Sequence, residues 1–391
     1  MPNPSPRTLQ SGDVDGFLTP PPPLARDNRA RASSGAHMNR LYSKLKILGQ
    51  TDRLNAIRRG DMAAPVHVRI KPINRCNHSC WYCAYRADQL QLGENMKLSD
   101  RLADDKLLEL VDDLVAMGVK AVTFSGGGEP LLHKRLPDAV ERLACGGVRV
   151  ATLTNGSNLK GRMADAFAEY GTWVRVSMDG WDDASYARAR GVRQGEFSNI
   201  IDNMRAFIDR RSRCVLGVSF IISHDNHMHV RDMCVLLKDV GVNHVKLAAA
   251  VVSNDVAENN RYHRKIMVPV TSAIDQARAL SDGAFSVLNH YHETTERFDK
   301  SYRSCPFARV LTVIGADAKV YTCQDKAYAE AGLLGSIEQR SFREFWFSDE
   351  NRRRHDALDP SRHCRHHCVA HEKNLALIDY LSLDPDHAVF V

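Results

Sequence analysis

The stretch RIKPINRCNHSCWYCAYR, residues 69–86, sets Cys76, Cys80 and Cys83 within eight residues, directly behind a run that reads as a β-strand. Thiols this close together in an intracellular chain are better read as metal or redox ligands than as a disulfide framework. The spacing, three residues and then two, puts all three on one tight loop. Three thiolates on a loop can each hold one iron of a cubane and leave the fourth iron open to a small molecule. A zinc knuckle is the alternative, but zinc takes four ligands and only His78 lies within the loop to complete the set.

Outward from this loop, apolar strand-like runs alternate with helix-like stretches. The runs are VHVRIKPI (66–73), KAVTFS (120–125), VRVATLT (148–154), TWVRVSMD (172–179), CVLGVSFIIS (214–223) and HVKLAAAV (244–251). Between them, LLELVDDLVAMG (107–118) and MHVRDMCVLLKDVG (228–241) carry apolar residues at helical spacing. This alternation predicts an α/β fold with a parallel sheet, an open or closed β/α barrel of about six units. In such a barrel the loops after the strands build the active site. Three of those loops are polar or glycine-rich: SGGGEP (125–130), TNG (154–156) and VSMDG (176–180).

The ordered series CNHSCWYC, GGEP, TNG and VSMDG resembles the radical S-adenosylmethionine (SAM) superfamily, over roughly residues 64–290. The resemblance implies a partial (β/α)6 TIM-like barrel, with Cys76, Cys80 and Cys83 binding a [4Fe-4S] cluster whose open iron chelates SAM. It further implies that Tyr82 lies against the adenine. Gly127, Gly128 and Glu129 would meet the methionine ammonium, because glycine permits a close approach that a side chain would block. Ser177 and Asp179, two apart and so on one face of a strand, would reach the ribose or methionyl end. Asn155 and Arg190 are further candidates for that pocket, although TNG also reads as a plain strand-to-helix turn.

Residues 301–391 change character. RVLTVIG (309–315) and AKVYTC (318–323) read as a hairpin, followed by a helix around SFREFWFSDENRRRH (341–355) and a close rich in cysteine and histidine. Cys305 is followed by 17 residues before Cys323, 40 before Cys364 and three before Cys368. The pattern resembles the twitch domain, a shortened form of the SPASM extension, which implies a second, auxiliary [4Fe-4S] cluster on these four cysteines. The glycine usual before the second cysteine of that hairpin is here Ala318, with Gly315 nearby. A structural zinc ribbon is the alternative, with His363, His366, His367 or His371 replacing a cysteine; these histidines otherwise read as helix surface. The expected organisation is an extension at 1–37, a lead-in helix at 38–63, a barrel at 64–300 and an auxiliary-cluster domain at 301–391.

Charge excludes one class of function. The net charge of +6 resides entirely in residues 1–60, with ten Lys/Arg against four acids, and leaves 43 of each sign in the remainder. A neutral body lacks the clustered positive groove that a phosphate backbone requires, so no nucleic-acid partner is expected. No apolar run approaches the roughly 18 residues of a membrane span, and the N-terminus lacks a secretory apolar core, so a cytoplasmic enzyme with no membrane partner is expected.

The chemistry implied is reductive cleavage of SAM, with the electron supplied by an external reductant such as a flavodoxin or ferredoxin. The resulting 5′-deoxyadenosyl radical would abstract hydrogen from a small-molecule substrate: a sugar, nucleotide sugar or aminocyclitol. A fully ligated second cluster can accept an electron, which favours dehydrogenation of an alcohol. An epimerase would need a thiol near the active end of the barrel, yet Cys145 and Cys214 fall at the other end and Cys234 shares helical spacing with Val230, Met233 and Leu237. Peptide maturases share this equipment but often carry an N-terminal peptide-recognition domain, for which residues 38–63 are too short. A zinc-dependent nucleic-acid-binding protein is the non-enzymatic alternative. For the base or electrostatic partner of the substrate hydroxyl, His224 and His227 after the fifth strand, Lys246 on the sixth and Arg175 beside Ser177 are the candidates.

Overall fold

A computed structural model describes residues 42–87, 90, 92–291, 298–384, 386, 387, 389 and 390, all within the compact unit Ala32–Val391. The extension expected at 1–37 lies outside the described residues. Of the lead-in, Lys44–Gly49 forms a 3-10 turn and Thr51–Arg58 an α-helix.

All six expected strands form: β1 (His67–Ile70), β2 (Ala121–Phe124), β3 (Arg149–Thr154), β4 (Gly171–Met178), β5 (Val215–Ile222) and β6 (His244–Ala249). A seventh, β7 (Ser286–His290), extends the parallel array beside β6. Its sequence, SVLNH, holds only two aliphatic residues and gives no strand signal of its own. The hairpin follows as β8 (Leu311–Ile314) and β9 (Lys319–Tyr321), with β10 (Leu333–Ser336) beyond. β8 pairs in parallel with β1, so one open sheet runs β10-β9-β8-β1-β2-β3-β4-β5-β6-β7. The division suggested at residue 300 is thus bridged by a backbone ladder.

Successive residues of a strand point to opposite faces, and here the two faces differ. Val68, Ile70, Val122, Phe124, Val174, Val176, Met178, Leu216, Val218, Phe220, Val245 and Leu247 turn outward into one apolar core with Leu107, Leu114, Phe167, Met204 and Leu237 of the helices. The intervening positions of β1 and β4 to β6 are largely polar: His67, Arg69, Arg175, Ser177, Ser219, His244 and Lys246. Strands of a parallel sheet buried on both faces read as continuous apolar runs. The alternation in TWVRVSMD therefore marks an inner face left for polar contents.

The helix expected over 341–355 is two, Phe342–Trp346 and Asp349–Asp356. Ser348 starts the second by accepting a hydrogen bond from the Asn351 amide at 3.2 Å, an N-cap that ends one helix and begins the next. The two ends of the described chain pack together, with Ile47 and Leu54 against Phe307, Val310 and Leu377 of the C-terminal helix.

Candidate active site

The cysteine loop leaves the C-terminal end of β1 and is pinned to the segment behind β4: the Ser79 amide donates to the Arg190 carbonyl at 2.7 Å and the Trp81 amide to the Ala189 carbonyl at 3.4 Å. Cys76, Cys80 and Cys83 are free and half-buried. Burial pushes the Cys76 thiol up to about 11 and the Cys80 thiol in the same direction. Such thiols stay protonated until a metal displaces the proton. His78 is buried with its ring against Tyr186 and its Nε2 3.7 Å from Glu196. Among the described residues no three His, Cys, Asp or Glu side chains converge closely enough to chelate a single ion. A cubane makes no such demand, since each thiolate meets a different iron.

The SGGGEP loop lies directly on the approach to Cys76. The Gly128 amide donates to the Ile73 carbonyl and the Glu129 amide to the Arg75 carbonyl. A Cβ on Gly127 would stand 2.3 Å from Asn74 Oδ1, and one on Gly128 2.1 Å from the Arg75 carbonyl oxygen, so only glycine allows the two loops to touch. Glu129 is buried and accepts from the Leu131 amide (3.0 Å), Thr154 Oγ1 (2.6 Å) and the Asn155 amide (2.7 Å). Burial nevertheless raises its carboxyl to about 7. Asn155 locks the turn, donating from Nδ2 to Asn77 Oδ1 at 2.8 Å and accepting from the Ser157 amide and hydroxyl. Glu129 and Asn155 thereby tie the loops after β1, β2 and β3 into one network.

Ser177 lies on β4 and Asp179 one residue past its end. Asp179 is paired with Arg190, Nε to Oδ1 2.6 Å, with both side chains almost wholly buried. Arg190 also donates to Cys80 Sγ at 3.3 Å and lies over the rings of Tyr82 and Tyr186. Asp179 Oδ2 and Arg190 Nη2 have no hydrogen-bond partner. Asp179 lines a cavity of about 350 Å³ together with Trp81, Tyr82, Trp181, Ser223 and Asn226. An aromatic floor beside an unpaired carboxylate oxygen suits a nucleoside: a base to stack and hydroxyls to donate.

The candidates for a base separate. His224 stacks on Tyr262 and its Nε2 contacts the Tyr262 carbonyl at 2.7 Å; His227 Nδ1 contacts the His224 carbonyl at the same distance. Each has one ring nitrogen engaged by backbone, fixing the loop after β5. Arg175 and Lys246 stand on the inner face, where Tyr42 meets both: Arg175 donates to its hydroxyl at 3.4 Å and Lys246 Nζ lies 5.8 Å from its ring. The same hydroxyl contacts His244 Nε2 at 2.9 Å.

Two inner-face residues of β1 and its end were not singled out by the sequence pattern. Arg69 Nε is buried without a partner, and burial followed by repulsion from Arg175 lowers its pKa. Lys71 has no accessible surface; its Nζ donates to the Gly126 carbonyl (2.5 Å) and to the Tyr85 hydroxyl (2.7 Å). Burial brings Lys71 down to about 7. The signal was present as charged residues alternating with Val68 and Ile70.

Cys305, Cys323 and the close pair Cys364 and Cys368 come from three segments of the chain to one neighbourhood. Burial raises every one of these thiols, and Cys323 feels the charges of the other three. Asp325, two residues past Cys323, is buried between them and the inner face; burial raises its pKa while the Val369 amide, Arg69, Lys71 and Lys300 oppose the shift. The neighbouring histidines are not all helix surface as expected. His363 is exposed, but His366 and His371 are buried, because His371 contacts Tyr302 and the His366 carbonyl accepts from Lys300. Ala318 stands at φ 54°, so this turn does adopt the left-handed conformation that a glycine would favour.

An open parallel sheet with a three-cysteine loop at its first strand end, facing a glycine-rich loop and a nucleoside-sized cavity, defines a class of cluster-dependent α/β enzymes. A family model described as the Radical SAM superfamily matches residues 70–237. GTP 3',8-cyclase from Xanthomonas campestris pv. campestris (strain B100) is 30% identical over 303 residues, covering 70% of this chain and 86% of that protein. An S-adenosylmethionine-dependent nucleotide dehydratase from Lacinutrix mariniflava (strain JCM 13824 / KCCM 42306 / AKS432) is 33% identical over 108 residues, covering 28% of this chain and 22% of that protein. The solved structure of native anSMEcpe with bound AdoMet and Kp18Cys peptide superposes with a TM-score of 0.55 at 18% identity, covering 75% of this chain and 83% of that one, a likeness of fold. The chain belongs to the radical SAM superfamily.

That family implies a [4Fe-4S] cluster and SAM. The residues present fit them: three thiols on one loop, and a cavity pairing aromatic rings with an orphaned carboxylate oxygen. No helix among the described residues is long and apolar enough to cross a membrane.

Proposed function

We propose that this radical SAM enzyme dehydrogenates an alcohol of a small anionic substrate, of the nucleotide or nucleotide-sugar class, held on the inner face of the sheet. One observation carries the reading: Arg69 of β1 and Arg175 of β4 both stand at inner-face positions, near enough for the charge of Arg175 to add to burial in lowering the Arg69 pKa. Lys246, two residues along β6 from His244, adds a third cation. Such a face attracts phosphate and disfavours a cationic aminocyclitol. Two relatives of this chain are named for nucleotide chemistry, GTP cyclisation and nucleotide dehydration, which supports the same substrate class.

Bound at Cys76, Cys80 and Cys83, the cluster with SAM would supply a 5′-deoxyadenosyl radical that takes one hydrogen atom from the carbinol carbon. The hydroxyl proton then needs an acceptor and the remaining electron a sink. Asp325 is proposed as the proton acceptor, because it is buried and stands within electrostatic reach of Arg69 and Lys71 of the inner face. Cys305, Cys323, Cys364 and Cys368 are proposed to hold the auxiliary cluster that takes the electron. Re-quenching by a thiol, as in an epimerase, is less favoured: Cys214 precedes β5 at its N-terminal end, Cys145 ends the helix Leu136–Cys145, and Cys234 lies in the apolar core.

Iron and sulfide are to be measured in anaerobically reconstituted protein and in the triple variant Cys76→Ala, Cys80→Ala, Cys83→Ala. Two cubanes with separate ligand sets predict about eight irons falling to about four. If the wild type holds about four and the triple variant none, the C-terminal site is not a cluster and dehydrogenation loses its electron acceptor. Formation of 5′-deoxyadenosine stimulated by nucleotide sugars but not by neutral polyols would then test the substrate class.

A further inference from the structure

The loop read as facing the methionine of SAM is held from beneath by residues of the C-terminal segment. Tyr328 has no accessible surface and stands at φ 64°, a costly conformation for a bulky side chain. Its hydroxyl donates to Asn74 Oδ1 at 2.5 Å and accepts from the Ala316 amide at 3.0 Å. Asn74, also fully buried, donates to the Lys97 carbonyl at 3.0 Å and presents its Oδ1 to Gly127 at the close approach described above. A second tie reaches the same loop from the other side. Lys71 Nζ holds the Gly126 carbonyl and the Tyr85 hydroxyl, and Tyr85 in turn donates to the Gln324 carbonyl at 2.9 Å. Tyr85 and Tyr328 pack edge to face, ring centres 6.1 Å apart.

We propose that Tyr328, through Asn74, and Lys71, through the Gly126 carbonyl, are positioning residues that hold the Gly126–Glu129 loop in the shape that binds SAM. The segment 324–328, beside Cys323, thereby sets affinity at the first cysteine loop. Two features favour this over simple packing. The Lys71 tie ends on the Gly126 carbonyl of the loop itself, and the Tyr328 tie ends on Asn74, whose Oδ1 abuts Gly127, with Tyr328 keeping a strained backbone to make it. The inference rests on the reading of this loop as the methionine site.

The test uses holoenzyme reconstituted to equal iron content, with SAM affinity measured by equilibrium dialysis. The change that SAM produces in the electron paramagnetic resonance spectrum of the reduced cluster is the spectroscopic readout. Tyr328→Phe keeps the ring and leaves Asn74 Oδ1 without its donor, and Lys71→Met removes the second tie. Each should weaken SAM binding about five- to tenfold, the consequence of an unsatisfied buried polar group, and require correspondingly more SAM for the spectral change. Tyr321→Phe, which removes a hydroxyl bonded to Asp317 in the same aromatic cluster, should stay within about twofold by the same reasoning, since Asp317 is only half-buried. Unchanged affinity in Tyr328→Phe overturns the proposal, and so does an equal loss in Tyr321→Phe, which would assign the effect to general loosening. Should Tyr328→Phe fail to fold, Lys71→Met decides alone, and unchanged affinity there overturns it. Glu129→Gln separates the underlying reading: if it binds SAM as tightly as wild type, the loop is not the methionine site, whatever the ties do.

Discussion

Replacing Arg190 by Met should be the most costly single change at the site. The Asp179 carboxylate would remain about 97% buried with its ionic partner gone. At 2.6 Å and an effective dielectric near 20, two unit charges attract by about 6 kcal/mol, much of it offset by desolvation. Breaking such a pair from one side costs about 3–5 kcal/mol, because the surviving charge is left uncompensated. Arg190→Met is therefore expected to lose about that much stability in urea unfolding followed by far-UV circular dichroism. Asp179→Asn alone should lose a comparable amount. The double variant should lose clearly less than the sum, with a coupling of about 2 kcal/mol or more, since neither charge is stranded. All three should produce little 5′-deoxyadenosine, because Arg190→Met removes the Cys80 contact, Asp179→Asn alters the cavity edge, and the double variant does both. Losses that add to within about 0.5 kcal/mol would show that the ion pair does not anchor the site, and the reasoning from its burial would fail.

Ala318→Gly should stabilise the protein by about 0.5–1 kcal/mol, because a φ of 54° strains alanine more than glycine; an unchanged or lower urea midpoint would refute this. His355 is buried with neither ring nitrogen bonded, and burial lowers its pKa from 6.5 to about 3. The folded state therefore binds fewer protons than the unfolded chain across that window, and stability falls as pH drops from 6.5 towards 3. His67, His78 and His366 act in the same direction, so the variant must be compared with wild type. His355→Leu should remove about 1.4 kcal/mol of loss per pH unit below 6.5, and parallel stability curves from pH 7 to pH 5 would contradict that.

Strand pattern and loop composition made the sheet legible. Six apolar runs alternating with helix-like stretches predicted six parallel strands, and all six form where the runs lie. β7 escaped because SVLNH gains its strand character only from the ladder with β6. Within the site, candidate residues were readable wherever they cluster along the chain: Cys76, Cys80 and Cys83 on one loop, Ser177 and Asp179 at one strand end. The partner of a buried charge was not. Asp179 and Arg190 were both candidates, but nothing in their eleven-residue separation says that they neutralise each other rather than a ligand.

What the linear sequence determined by itself was the order of strands and the identity of the cysteine loop, because alternation and close spacing are local properties of the chain. What only the tertiary structure decided was which distant groups share one environment. Arg69 and Arg175 come within electrostatic reach of each other because β1 and β4 contribute to one inner face. Asp325 reaches that face because β8 pairs with β1. Tyr328 supports Gly127 across about 200 residues of sequence through a single buried asparagine. Those relations depend on burial and hydrogen-bond direction, which arise only when segments far apart in sequence exclude water from the same place.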